Sequence, residues 1–424
     1  MPRGIGDIAD LRLEVLQDFI TRFTTPPELK LMNLFGSINS VSDSIRWESQ
    51  EGGRGLAPFV PPGVPSPRTA PYGVTKHSAT AATWKEKMYF DEEFLNNLRK
   101  PGTDNTYLDA KTRLARELAQ LTYRSMRRKE WMFAKMLFNG AFTYEVTGGV
   151  KSSVDYGLPT AHNVTLTTNY MWDATGASAT VDVLGDIIDA KKTIKDATGA
   201  FVEVAMCTST VLKYLAQDTT IQALLHKSAF GDGSLYNGSK NKLLGVNTQV
   251  IQSLLDIPRL EIYDEQYEIR AYLTGAVTGS STTVVSVEDV SDFEVGAYVR
   301  FVDVSAGTWE DELIASIQTE ASTITVQAAP TASFKAGEDF VFMRKTFLPS
   351  NKFIMLAPRV EGKSIAEYMN APYGLNRSYG MQVDRHETWD PDGVFLRVQD
   401  KGLPVLYQRD AIYNLTVTST KPNI

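Results

Sequence analysis

The feature that most constrains this chain is one amphipathic pattern running without interruption from about Thr106 to Asn139. Ala115, Ala119, Thr122, Met126, Phe133 and Met136 recur on one stripe at spacings of four, three and, once, seven. Leu114, Leu118 and Leu121 lie beside it, and Gly140 follows as a stop. At 1.5 Å per residue such a helix is about 50 Å long, far beyond the usual three turns of a compact domain. The chain must therefore be arranged along a rod, with other elements packed on one of its sides. The other side is basic, with Arg113, Arg116, Arg124, Arg127, Arg128 and Lys129. Pairing with carboxylates of the same or a neighbouring molecule is its main expectation, with local Glu117 and Glu130 as candidates. Contact with a polyanion is the lesser one.

Ahead of the rod lies material of another kind. Residues 6–23 carry Ile8, Leu11, Val15, Leu16, Phe19 and Ile20 near helical spacing, and Pro26-Pro27 ends the pattern. A short apolar knot runs from Leu29 to Phe35, and Ser42 to Trp47 alternates like a strand. Then Glu51-Gly52-Gly53-Arg54-Gly55 opens a stretch that includes Pro58, Pro61, Pro62, Pro65, Pro67 and Pro71. That density of Pro and Gly rules out a helix or a central strand and predicts an extended excursion ordered by its neighbours. Residues 79–90 read as the returning strand.

Beyond the rod, residues 178–265 alternate in type. Val181 to Ala197 predicts an amphipathic helix and Val202 to Met206 a buried strand. Ser209 to Ala216 and Thr220 to His226 predict helices, and Val246 to Ile251 and Arg259 to Tyr263 strands. The order is that of an α/β unit. Residues 269–345 then turn to Val, Thr, Ser and Gly, with short strands readable at 270–276, 282–287, 297–303, 311–318, 322–327 and 339–343. They predict a small all-β barrel or sandwich. Lys352 to Ala357 is again a buried strand, so the β segment interrupts the α/β unit. Residues 381–418 are strand-rich, with Asp390-Pro391-Asp392-Gly393 as a turn.

Chemistry is sparse. No Walker loop, G-x-S-x-G elbow, H-E-x-x-H or EF-hand pattern occurs. Gly231-Asp232-Gly233 reads as a plain turn and Asp390, Asp392 and Asp400 as turn chemistry, with no metal site expected. His77, His162, His226 and His386 lie far apart, without the patterns of a ligand set or a general base. Cys207, the one cysteine, reads as a buried inert thiol and excludes an internal disulfide. The Met1–Asp7 start shows no secretion signal, and no run approaches a membrane span. The net charge of −7 argues against a protein built to grip nucleic acid. A hydrolase whose β segment is a binding module is a rival that would need paired carboxylates in a cleft, and no convincing pair stands out.

Three separated segments resemble the lambda-like phage major capsid protein E family. They are Phe23-x-x-Pro26 with Leu34-Phe35-Gly36-Ser37; Gly52-Gly53-Arg54-Gly55-Leu56-Ala57-Pro58-Phe59-Val60-Pro61-Pro62-Gly63; and Arg385-x-Glu387-Thr388-Trp389-Asp390-x-Asp392 with Arg397-Val398-Gln399-Asp400 and Leu403-Pro404-Val405-Leu406. Each is weak alone; their order and spacing carry the likeness, which covers about 1–265 and 346–424. It implies an α+β, HK97-like capsid subunit. The implied parts are an N-terminal arm (1–50), an extended loop (51–90), a peripheral domain (91–177) on the spine helix 106–139, and an axial domain (178–268, returning at 346–380). The peripheral domain's C-terminal strands follow at 381–424. The inserted β domain (269–345) departs from simpler members.

The resemblance implies a head-shell protein of a tailed bacteriophage, with no enzymatic role and no cofactor. It assembles in the host cytoplasm and resides in the virion. Its partners are many copies of itself as hexamers and pentamers, scaffold, portal and decoration proteins, and non-specifically packaged double-stranded DNA; no membrane is involved. Arg54, Pro58, Phe59, Arg124, Arg127 and Arg128 are the candidate inter-subunit contacts. A nanocompartment shell of the same fold and a tail or baseplate protein are the structural alternatives. The acids of the insertion (Glu288, Asp289, Asp292, Glu294, Glu310, Asp311, Glu312) far outnumber its bases, which favours the outer surface of a DNA-filled shell.

Overall fold

A computed structural model describes residues 26, 28–50, 56–65, 68, 73–91, 104–147, 150–175, 178–227, 248–290, 292–374, 377–389 and 392–419. The helical pattern at 6–23, Arg54 with its flanking glycines, and Gly231 to Gly233 lie outside the described residues. A one-turn helix, Lys30–Leu34, leads into strands β1 (Gly36–Asn39) and β2 (Ser44–Gln50). After the Pro-rich stretch come β3 (Val74–Thr80) and β4 (Ala82–Asp91), then the spine helix Asp104–Phe138. The hairpin β5 (Ala141–Thr147) and β6 (Val150–Asp155) and the short β7 (Asn163–Thr165) follow. Helix Val183–Thr198, β8 (Val204–Cys207), helices Ser209–Gln217, Thr219–Lys227 and Thr248–Leu255, and β9 (Arg259–Ile262) make the α/β unit.

The insertion comprises β10 (Gln266–Tyr272), β11 (Val284–Ser286), β12 (Tyr298–Asp303), β13 (Thr308–Gln318), β14 (Thr323–Val326) and β15 (Phe340–Thr346). The chain then gives β16 (Lys352–Leu356), the two-residue β17 (Arg359–Val360) and β18 (Lys363–Ser364), and β19 (Ala366–Asn370). It finishes with β20 (Gln382–Trp389), β21 (Asp392–Leu406) and β22 (Ile412–Thr416).

The spine helix is unbroken through its centre, where the Thr122 hydroxyl donates to the Leu118 carbonyl at 2.9 Å and leaves the turn intact. Gly140 stops it with φ +74°, a conformation glycine adopts without strain, and its N–H returns to the Lys135 carbonyl. In the last two turns nearly every side chain is buried, from Glu130 to Phe138 with Lys135 half-buried. This end of the rod passes through the body of the molecule.

Two sheets flank it. In one, β21 is the long central strand: its first part lies between β20 and β4, and its last residues pair with β19, which in turn pairs with β1. The other is mixed, in the order β7-β22-β16-β8-β9. Its middle strands are continuous apolar runs (Val204-Ala205-Met206-Cys207 and Phe353-Ile354-Met355-Leu356) because both faces are covered. Helix Val183–Thr198 covers part of one face with Val183, Ile187, Ala190 and Ile194. It opens on an Asp182 cap to the Gly185 N–H and closes at Gly199. One buried apolar core joins both sheets and the spine helix.

Several sequence expectations are corrected by these pairings. Residues 79–90 are not one returning strand: β3 pairs with β2, whereas β4 leaves the excursion and adds to β21 over Ala82 to Asp91. Buried Ala81, Ala82 and Phe90 pull that strand into the body. The projecting unit is therefore a hairpin of 44–50 and 74–80 with the Pro-rich segment between them, and part of the expected arm 1–50 belongs to it. Of Val246 to Ile251, read as a strand, the described residues from Thr248 on fall in helix Thr248–Leu255, whose Val250, Ile251 and Leu255 sit on one buried side; short apolar runs fit either period.

The expected division by segments also fails locally. β19 (from 346–380) joins the β21 sheet, while β7 (from 91–177) and β22 (from 381–424) join the β8–β16 sheet. Strand pairing sets the sheets, and it crosses those boundaries.

The insertion is its own barrel. Its strands run β10-β15-β12-β13-β14-β11, and a bridge from Leu273 to Val287 joins the two ends of that order. Fifteen buried residues, among them Val299, Phe301, Phe334 and Val341, form a core separate from that of the body. The first pairing is Gln266 with Thr346, so the unit begins three residues before the expected 269. The Phe347 N–H bonds the Glu265 carbonyl at 3.1 Å across the neck, and the Tyr267 and Phe347 rings pack 4.9 Å apart there.

Candidate assembly surfaces

The hairpin β2–β3 is anchored at its root and bare at its end. Ile45 and Trp47 are buried, and Trp47 stacks on His77 across the strands at 5.2 Å. Beyond them Leu56 and Phe59 stand almost wholly in solvent, Val64 is about half exposed, and Pro58 is exposed between. Among the described residues this exposed Phe, in a segment pre-stiffened by proline, has nothing to bury against. Exposed apolar patches of this kind commonly mark interaction surfaces. Pro58 and Phe59 were expected here from the sequence; Leu56 and Val64 are the additions, and their apolar type within the Pro run was the available signal.

At the hairpin's root a cavity of about 600 Å³ opens between Asp43, Lys85, Tyr373, Arg377, Arg397 and Lys401. Lys401 pairs with Asp43 at 2.8 Å, Arg397 with Asp384 at 2.5 Å, and the Arg377 guanidinium donates to the Val41 carbonyl at 2.7 Å. These ties hold the base of the hairpin to the β21 sheet.

The basic side of the spine helix is spent largely within the chain. Arg124 pairs with Glu86 on β4 at 2.7 Å, and buried Asp400 takes Lys129 at 2.6 Å. Arg128 reaches Asp292 of the insertion at 3.4 Å and lies over the Trp131 ring. Arg127 remains exposed near Glu265, whose carboxyl is raised by burial despite that positive charge. The candidates Arg124 and Arg128 are thus intramolecular struts, and the local pairing expected with Glu130 does not occur. Glu130 points into the core. It accepts the Leu31 and Met32 N–H groups at 2.8 Å each and the Tyr263 hydroxyl, which docks the Lys30–Leu34 segment on the rod. Burial raises its carboxyl above the usual range. A glutamate on the apolar stripe, four residues after Met126, was the signal for it.

Cys207, His162 and His77 are buried or tied to structural partners. Desolvation pushes the Cys207 thiol up to about 12 at a fully buried site. His162 is buried with Nδ1 on the Ile412 carbonyl, and His77 bonds Ser49 beneath Trp47. Among the described residues no cluster of His, Cys, Asp and Glu is placed to hold a metal ion, and no helix is long and apolar enough to cross a membrane.

Comparisons with known proteins agree with this geometry. The family model described as phage major capsid protein E matches residues 14–273, more than half of the chain. No curated protein matches. A crystal structure described as the presumed capsid protein of an E. coli CFT073 prophage is similar at TM-score 0.53 and 12% identity, covering 96% of this chain and 99% of that one. A phage-related protein of Bordetella bronchiseptica RB50 matches at TM-score 0.47, 9% identity and 95% of both chains. An encapsulin complex of Synechococcus elongatus PCC 7942 matches at 0.42, 8% identity, and 95% and 91% of the two chains. With the family match over the rod and the α/β unit, and the HK97-type fold shared along the whole length, the chain belongs to the phage major capsid protein E family.

Proposed function

We propose that this capsid protein builds the head shell of a tailed phage as hexamers and pentamers, in the host cytoplasm, around double-stranded DNA, and that it has no catalytic role. Scaffold, portal and decoration proteins are its expected partners. The observation that carries the reading is the β2–β3 hairpin, rooted at Ile45 and Trp47 and exposed and apolar at its end, which we read as the part another copy covers. A closed shell repeats one chain in related positions, which calls for a rigid body and reaching elements of this kind.

Pro58 and Phe59 are the contact residues proposed at that end, with Arg54 beside them in sequence. Arg127, exposed like Arg116 among the described side chains of the rod, is the base proposed to meet a neighbour or DNA. The inserted barrel, with 12 acidic and 5 basic residues over 266–346, suits the outer surface, since packaged DNA repels it.

The test is deletion of 51–75, bridged by a short Gly/Ser link. The variant should stay folded and fail to close shells in electron micrographs, and normal particles from it would refute the role given to the hairpin.

A further inference from the structure

The inserted barrel has one face unlike the rest of its surface. Side chains of β10, β15, β12 and β13 alternate between the barrel core and this outer face, and register sets them in rows. One row is Arg270, Phe342, Arg300, Asp311; the next is Tyr272, Phe340, Val302, Trp309. Guanidinium groups lie on the rings: Arg300 over Trp309 at 3.8 Å and Arg270 over Phe340 at 4.1 Å. Trp309 is nevertheless 57% exposed and Tyr272 42%.

Charge is unevenly spread over the module, 12 acids to 5 bases. This face holds Arg270, Arg300 and Arg344 against Glu268 and Asp311. Arg300 grips Asp311 through two bonds of 2.6 Å, and Arg344 bonds Glu268 at 2.9 Å. Arg270 faces only the Phe340 ring among the interactions described. Of the remaining ten acids of 266–346, Asp339 is buried, and Asp292 and Glu294 reach Arg128 and Lys135 of the body; within the module the acids meet two lysines, Lys335 and Lys345, each already paired with a glutamate. An aromatic, arginine-bearing, lysine-free island thus sits on an otherwise acidic barrel. Trp, Tyr and Arg are the residues that concentrate binding energy at protein interfaces.

We propose that this face binds the acidic flank of the barrel on a second copy of the chain, head to tail, so that barrels link in a ring around each capsomer. Two copies meeting face to face would set guanidinium against guanidinium, whereas face to flank joins opposite charge. A heterologous contact of that kind propagates, and within a capsomer whose bodies are already arranged about a rotation axis it closes as a ring. Strand spacing gives the array a footprint of roughly 200 Å², well below the ~800 Å² per partner of a stable pair. It therefore acts only between copies that their bodies already hold together. The inference rests on the capsid reading and adds the partner surface of the insertion.

Cys207 is the one cysteine and is buried, so Val304→Cys, at the exposed rim of the face, supplies a single accessible thiol. Particles of this variant, labelled with a photoactivatable maleimide and irradiated, should give a denaturing-gel ladder beyond dimers. The joined peptides should come from 266–346 of another copy. Adding Arg270→Glu and Trp309→Ala should cut the ladder at least tenfold, with particles still formed and the barrel's own melting unchanged. Dimers alone, adducts to the body or to a different protein, no adducts, or an undiminished ladder would each overturn the proposal. Failure of the unaltered chain to form particles would instead strike the capsid reading.

Discussion

The hairpin and the inserted barrel both project from the body as β-structure, yet they hold themselves together by opposite means. The barrel closes its sheet and buries fifteen side chains of its own. The hairpin has two strands, a buried root at Ile45 and Trp47, and an end that leaves Phe59 in solvent. A lone two-stranded ribbon is marginal in water, so the hairpin draws on what it touches and the barrel does not. An element that needs a neighbour serves assembly; one that completes itself can be added without remaking the shell.

The largest expected effect follows from that contrast. Deleting 51–75 should abolish shell closure, whereas replacing 266–346 by a short Gly/Ser linker should leave shells that still form, with lowered stability. Electron micrographs of the two variants side by side would break the comparison if the outcomes were reversed. Next in size is Phe301→Ala, which opens a cavity in the barrel core and should cost about 3–5 kcal/mol. The loss should appear as early melting of the barrel in hydrogen exchange, with the protection of β8, β16 and β22 retained. If those strands lost protection in step, the two cores would not be independent.

A smaller effect tests how the N-terminal segment is fixed to the body. Burial raises the folded pKa of Glu130 above its ordinary 4.5. The stabilisation linked to that raised value is fully present below about 4.5 and is lost as pH rises through the folded value. Glu130→Gln removes this titration and keeps a side chain able to accept one N–H. The wild type's stability relative to the variant should therefore decline as pH rises from below 4.5. Calorimetry of both proteins across that range checks the sign, and a relative gain would contradict it.

Where a pattern was long and one-sided, the sequence was legible. The rod, read over 106–139 and found over Asp104–Phe138, and the six short strands of the insertion follow from uninterrupted periodicity and turn residues. The family and the capsid fold were legible from motifs without reactive groups. Pairing was not: β4 finds β21 from the far side of the spine helix and the inserted barrel, and β19 finds β21 and β22 finds β16 across intervening strands, through contacts that local pattern does not encode. The helix at Thr248–Leu255 was lost to a short apolar run that fits two periods. Among the arginines the residue type was visible from the start, but the partners Glu86 and Asp292 depended on the tertiary fold.

The most direct test of the central claim is a near-atomic reconstruction of particles assembled from the expressed chain. Phe59 should be found buried against another copy, with Leu56 and Val64 beside it, while the barrel core remains as it is in the single chain. Particles in which Phe59 still stands in solvent would contradict the account.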